Sequence, residues 1–144
     1  MNKVLLMCAL LLGISACGKV RAEGDGIAVD KGKKSVVEVL YFYGKQRCAT
    51  CIAIEKGTKE VMETKYAEEL KSGELVFRSV DIQKEEALAD KYEVSWSSLI
   101  IVDYDKNGDE HAQNLTEFAF ANARRAPERF RADLTKKISE LLHN

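Results

Sequence analysis

Two cysteines separated by two residues are the clearest candidates for chemistry in this sequence. Cys48 and Cys51 stand in the stretch YGKQRCATCIAIEKG, after an apolar run and before a run with helical spacing. A thiol at the start of a helix meets unpaired backbone N–H groups, which favour the thiolate and lower the thiol pKa. Cys51 follows one turn later, within disulfide reach. We therefore expect Cys48 to attack a disulfide and Cys51 to resolve the mixed disulfide.

Two other roles for these thiols have to be weighed. A purely structural disulfide is disfavoured because so short a loop gives little entropic stabilisation. A four-ligand zinc site needs further ligands, and the only histidines are His111 and His143. We therefore expect no zinc site. Two thiolates could still hold a soft ion such as Cu(I), and that alternative stays open.

Strands and helices alternate around the cysteine pair. Strands are predicted at residues 35–43, 75–81, 98–105 and about 110–115. Helices are predicted at 48–70 and 83–92, then from about Phe118, with a new helix from Pro127 onward. The first strand, SVVEVLYFY, hardly alternates, which is typical of a strand buried on both faces. Asn107-Gly108 predicts a hairpin. A β-α-β unit followed by a hairpin and a closing helix predicts one central sheet with helices on both faces.

These features resemble the thioredoxin-like superfamily. The matching stretches are VVEVLYFYGKQRCATC, VFRSVDI and KYEVSWSSLIIVDYDKNGDE, and they run from about residue 35 to 110. The resemblance implies an α/β fold with a central mixed sheet of about four to five strands flanked by helices. It also implies a thiol–disulfide oxidoreductase in which Cys48 is the nucleophile and Cys51 the resolving thiol. No cofactor is expected beyond the redox-active disulfide Cys48–Cys51.

The sequence departs from the family pattern at two positions beside the thiols. Arg47 stands where the family usually has an aromatic residue, and its charge is expected to support the Cys48 thiolate. Tyr41 aligns with the family's buried acid, which helps to move the proton of the resolving thiol. Another group should take over that role in this chain, and Glu38 or water are the candidates.

A third departure lies in the loop expected to face substrate. Ser98 aligns with the family's cis-proline, and the chain's only proline is Pro127. A cis bond at Ser97–Ser98 would cost about 2.5–4 kcal/mol, against 0.5–1 kcal/mol for a bond to proline, so we predict a trans bond. Trp96, Ser97 and Ser98 could then supply a different substrate surface, although a tryptophan is more often part of the core.

The N-terminus resembles that of a bacterial lipoprotein. Lys3 precedes an apolar run at 4–12 that is too short to span a bilayer, and ISAC then resembles a lipobox ending at Cys17. An ordinary signal peptide or a short core helix are the alternatives. We expect a signal peptide at 1–16, lipid on Cys17, a flexible Gly- and charge-rich tether at 17–34 and a thioredoxin-like domain at 35–144. Localisation would be extracytoplasmic and membrane-anchored, on the periplasmic face or cell surface, where disulfides persist.

The charge pattern restricts the partners. Formal net charge is −1 and no basic stripe stands out, which argues against a nucleic-acid partner. The arginines at positions 124, 125, 129 and 131 are expected to form a solvated face, and contact of this cluster with a partner or with anionic lipid heads is the alternative. Partners would be protein or small-molecule disulfides and thiols, a membrane electron-transfer partner, and the membrane itself through the lipid. The alternatives are a non-catalytic thioredoxin-like module that carries Cu(I), and a stress or adhesion lipoprotein with a vestigial cysteine pair.

Overall fold

The computed structural model describes residues 36–144, and the predicted signal peptide, the lipidation site Cys17 and the tether lie outside the described residues. Four strands and five helices follow one another in this part of the chain. They are β1 (Val37–Tyr43), α1 (Ala49–Lys65), α2 (Ala67–Ser72), β2 (Leu75–Asp81), α3 (Glu86–Lys91), β3 (Ser98–Tyr104), β4 (Glu110–Asn114), α4 (Thr116–Asn122) and α5 (Pro127–Leu142). None of these helices is long and apolar enough to cross a bilayer.

The strands form one mixed sheet in the order β2-β1-β3-β4. β1 and β2 are parallel, whereas β3 runs antiparallel to both β1 and β4. This order, with α1 and α2 between the parallel strands, confirms the predicted α/β, thioredoxin-like arrangement. Tyr43 pairs with Asp81 and Phe42 pairs with Ser98. β1 and β2 therefore end, and β3 begins, at the same end of the sheet. The chain enters α1 from that end of the sheet.

β1 is buried on both faces, as its sequence predicts. Val39 and Tyr41 belong to a core cluster shared with α1, α4 and α5. Leu40 and Phe42 belong to a second cluster on the other face, which includes Ala89 of α3. Helices therefore cover both faces of the sheet, and β1 fixes the position from which the cysteine loop departs.

The helix predicted at 48–70 is divided at Tyr66, where φ is −130°. The Tyr66 hydroxyl donates a hydrogen bond to the Thr135 carbonyl oxygen of α5 at 2.6 Å. α1 runs without interruption through Gly57. The sequence allowed two roles for this glycine, a kink in the helix or a close backbone contact. The close contact is present, because a Cβ added at Gly57 would lie 2.9 Å from the ring of Phe130.

Candidate active site at the first turn of helix α1

The two cysteines form a disulfide at the start of α1. Cys48 is the N-cap residue of the helix, and the two Cα atoms are 5.0 Å apart. The backbone N–H of Cys51 donates a hydrogen bond to the Cys48 sulfur at 3.0 Å. Cys48 is exposed, whereas only 6% of Cys51 is accessible. An incoming thiol or disulfide can therefore reach Cys48 first, and the predicted position of Cys48 at the coil-to-helix junction is confirmed.

Tyr41 occupies the position at which the resemblance expects a buried acid. It is fully buried, and its hydroxyl donates a hydrogen bond to the Cys51 carbonyl oxygen at 2.8 Å. The hydroxyl thus ties the first turn of α1 to the middle of β1. The sequence identified the missing acid, but it gave no signal for this bond, which joins residues from two different elements.

Glu38 lies away from the disulfide. It is the second residue of β1, and its carboxylate accepts a hydrogen bond from the Tyr104 hydroxyl at 3.3 Å. Strand alternation places Glu38 on the face of Leu40 and Phe42, whereas Tyr41 reaches Cys51 from the opposite face. The structure therefore does not bring the Glu38 carboxylate to the resolving thiol.

A different carboxylate, that of Glu55, lies one turn after Cys51 on α1. It forms an ion pair with Arg47, a second one with Lys59 at 3.0 Å, and accepts a hydrogen bond from the Ser79 hydroxyl of β2 at 3.0 Å. The Arg47 guanidinium also lies 4.9 Å from the centre of the Tyr43 ring. Glu55 was not predicted from the sequence as a site residue, although its spacing of four residues from Cys51 places both on one face of the helix.

The charges of Glu55 and Arg47 stabilise each other. Burial raises the pKa of Glu55, but hydrogen bonds from Arg47, Lys59 and Ser79 outweigh that effect and hold the pKa below its ordinary value. The hydrogen bond to Glu55 in turn raises the pKa of Arg47. Both groups are therefore charged at neutral pH. Support of the Cys48 thiolate by Arg47 stays a prediction, and it would act against the field of the paired carboxylate.

At the start of β3, the side chain of Trp96 is exposed to solvent, whereas those of Ser97 and Ser98 are not. The Ser97–Ser98 peptide is trans, as predicted, since residues 36–144 contain no cis peptide bond. Both serines are buried, and the Ser98 hydroxyl donates to the Trp96 carbonyl oxygen at 3.0 Å. Trp96 is 59% exposed, so the more common expectation of a core tryptophan was wrong here. Its ring packs against Phe120 of α4, with the ring centres 5.1 Å apart.

Within residues 36–144, no group of three or more His, Cys, Asp or Glu side chains is placed to hold a metal ion. His111 on β4 is exposed, as expected for the hairpin.

No protein-family model matches the sequence, and a search of curated proteins finds no match. Solved structures do match. Thioredoxin-2 of the malaria parasite, described as a component of its protein secretion machinery, is 24% identical, with 57% of this chain and 72% of that chain covered and a TM-score of 0.40. Thioredoxin from Fasciola hepatica is 22% identical, with coverages of 67% and 80% and a TM-score of 0.41. The Trx4 domain of ERdj5 is 17% identical, with coverages of 74% and 84% and a TM-score of 0.44. By its own strand order, the described part of the chain has a thioredoxin-like α/β fold, and Cys48 and Cys51 form a disulfide at CxxC spacing.

Proposed function

We propose that this protein is a thiol–disulfide oxidoreductase in which Cys48 attacks and Cys51 resolves. One observation carries the proposal: an exposed sulfur at the N-cap of α1 is bonded to a nearly buried one, and the helix's own N–H reaches the exposed sulfur at 3.0 Å. In the reduced protein the same N–H and the helix dipole would stabilise a Cys48 thiolate. We therefore expect the pKa of the Cys48 thiol to lie below the ordinary ~8.5.

The exchange takes place in two steps. The Cys48 thiolate attacks one sulfur of a substrate disulfide, forms a mixed disulfide and releases the other substrate sulfur as a thiolate. The Cys51 thiol then loses its proton and attacks the Cys48 sulfur, which restores the Cys48–Cys51 bond and releases the second substrate sulfur. Two electrons pass to the substrate, and a partner dithiol returns them. The same steps in reverse oxidise a dithiol, and the difference in reduction potential sets the direction.

The proton of Cys51 needs an acceptor, and the site offers no strong base. Glu55 lies on the correct face of α1, but its lowered pKa makes its carboxylate a weak base. Tyr41 already uses its hydroxyl proton in the bond to the Cys51 carbonyl. The thiolate released by the substrate has an ordinary pKa near 8.5 and is a far stronger base. It accepts the Cys51 proton, directly or through water.

The sequence supports a location for this activity. The signal-like residues 1–16 and the lipobox cysteine Cys17 favour a domain outside the cytoplasm, tethered to a membrane by lipid. Its substrates would be protein or small-molecule disulfides, and a membrane electron-transfer partner would keep it reduced. Replacing Cys17 by serine should move the full chain from the membrane fraction to the soluble fraction.

The activity is tested by mixing the reduced protein with insulin and following disulfide reduction. Cys48→Ser should lower the rate by at least about a thousandfold, since the attacking sulfur is lost. Cys51→Ser should react once and remain as a mixed disulfide, which mass spectrometry detects. Ala49→Ser is the matched control, because it alters the same turn without removing a thiol. Unchanged reduction by Cys48→Ser would refute the proposal, as would stoichiometric Cu(I) binding by a protein without exchange activity.

A further inference from the structure

The four arginines expected on a solvated face fall into two groups. Arg129 pairs with Asp133 at 3.4 Å, and Arg131 pairs with Glu60 at 3.4 Å and with Glu128. The other two lie in the turn between α4 and α5, at positions 124 and 125. Both are exposed, and their side chains make no hydrogen bond or ion pair with any of residues 36–144. Carboxylates among residues 36–144 thus pair with Arg129 and Arg131 but not with Arg124 or Arg125.

The unpaired arginines share a pocket with a residue of the CxxC turn. An open pocket is lined by Thr50, Phe120, Ala121, Arg124 and Arg125, and we call it the arginine pocket. Thr50 is one of the two residues between Cys48 and Cys51. The lining contains no acidic side chain, so its two positive charges are not neutralised within the pocket.

An apolar surface continues the arginine pocket on one side. The Phe120 ring contacts Trp96, which is 59% exposed. Aromatic residues and arginine are enriched at the centre of surfaces that bind proteins. An exposed tryptophan that packs on a residue of the arginine pocket, next to two unpaired arginines, therefore favours a polypeptide as the ligand.

We propose that the arginine pocket binds an acidic segment of a polypeptide substrate. Asp or Glu side chains near the substrate's cysteine contact Arg124 and Arg125, while a neighbouring apolar side chain covers Trp96 and Phe120. The inference rests on the proposed oxidoreductase function and names the substrate class for it. A polypeptide is favoured over a lipid surface because the pocket includes Thr50, which lies between the two cysteines in the sequence. Opposite charges on the substrate and the arginine pocket raise the rate at which the two proteins meet.

Two synthetic disulfide peptides of equal length test the proposal. One carries Asp and Glu beside its cysteine, and the other carries Asn and Gln at those positions. The readout is the ratio of the two rates of reduction by the reduced full chain. At low ionic strength we expect the acidic peptide to react roughly five- to tenfold faster, and the ratio to approach one in about 1 M salt. The double variant R124Q/R125Q should lose this preference. The control Arg129→Gln should keep it, and thermal unfolding checks that each variant is folded.

The outcomes separate this inference from the proposal on which it depends. If the wild-type protein reduces neither peptide, the oxidoreductase proposal fails, and the pocket assignment fails with it. If it reduces both at the same rate, or if R124Q/R125Q keeps the preference, only the pocket assignment fails. Binding to vesicles of anionic lipid that is lost in R124Q/R125Q, with an unchanged peptide ratio, would also overturn it and would assign the arginines to a membrane surface.

Discussion

Helix α1 contains two regions with different roles. Its first turn begins at the exposed Cys48 and is held by two side-chain contacts: the buried hydrogen bond from the Tyr41 hydroxyl to the Cys51 carbonyl oxygen, and the ion pair of Arg47 with Glu55 nearer the surface. Its middle is buried against α5, where Gly57 lies under the Phe130 ring. The reactive thiols therefore lie at the exposed start of the helix, and the tightest packing lies in its middle, where α1 contacts α5. The two regions should respond to substitution in opposite ways.

The middle of α1 should affect stability without affecting chemistry. Gly57→Val places methyl groups against Phe130, which is 1% exposed and stacked on Phe118, with ring centres 5.7 Å apart. Because this ring has little room to move, we expect the free energy of unfolding to fall by about 1–3 kcal/mol. The rate of disulfide exchange per folded molecule should stay at the wild-type value. Urea unfolding of the reduced proteins, together with insulin reduction, measures both.

Cys48→Ser and a second-site change sharpen this contrast. The serine variant should unfold like the reduced wild-type protein and yet lose exchange. Combining Gly57→Val with Phe130→Leu should recover part of the lost stability, because the smaller side chain makes room for the added methyl groups. A Gly57→Val protein as stable as the wild type, or as inactive as Cys48→Ser, would contradict the division of α1 into these regions.

The sequence predicts the parts of the fold that depend on local signals. The nearly unbroken apolar character of residues 37–43 identifies a strand buried on both faces, and the helical spacing after the cysteines places Cys48 at a helix start. The helix pattern continued past residue 65, however, and the division at Tyr66 accompanies a hydroxyl bond to Thr135 that no local signal shows.

The supporting contacts of the site could not be predicted in the same way. Glu55 accepts a hydrogen bond from Ser79, which lies 24 residues further along the chain, and forms an ion pair with Arg47 of the preceding loop. Such contacts depend on how β2 and α1 pack, which the periodicity of either element does not determine. The exposure of Trp96 is a similar case, because a large apolar residue is buried or exposed according to its neighbours and not its type.

A smaller effect is expected at the bond that joins the first turn of α1 to β1. Tyr41→Phe removes the buried hydroxyl that donates to the Cys51 carbonyl. The loss of one such hydrogen bond should lower the free energy of unfolding by about 0.5–1.5 kcal/mol. Tyr43→Phe is the matched control on the same strand face: it removes a hydroxyl but keeps the ring beneath Arg47. Equal losses in the free energy of unfolding of the two variants would show that the hydrogen bond to Cys51 does not itself stabilise the protein.

The smallest change in stability is expected from Glu55→Gln. The folded-state pKa of Glu55 is lowered, so its charge contributes stability above the unfolded-state pKa of about 4.3, and that contribution is lost as the pH falls through the folded-state value. The pairs lie near the surface, which limits the contribution to under about 1 kcal/mol. Wild type and variant should therefore differ at pH 7 in thermal unfolding and converge in acid, as Glu55 becomes protonated in the folded state. Glu63→Gln, at an exposed position further along α1, is the control for the loss of one negative charge from this helix.

The same variant decides which role Glu55 has in the chemistry. If Glu55 only holds Arg47, the substitution removes a negative charge near the thiols and leaves the guanidinium unpaired, so the Cys48 thiolate is favoured. Alkylation of the reduced protein by iodoacetamide near pH 6.5 should then become faster by a few-fold, with resolution of the mixed disulfide unchanged. If Glu55 accepts the Cys51 proton, resolution should slow by about a hundredfold. Because the lowered pKa of Glu55 makes it a weak base, we expect faster alkylation and no slowing of resolution.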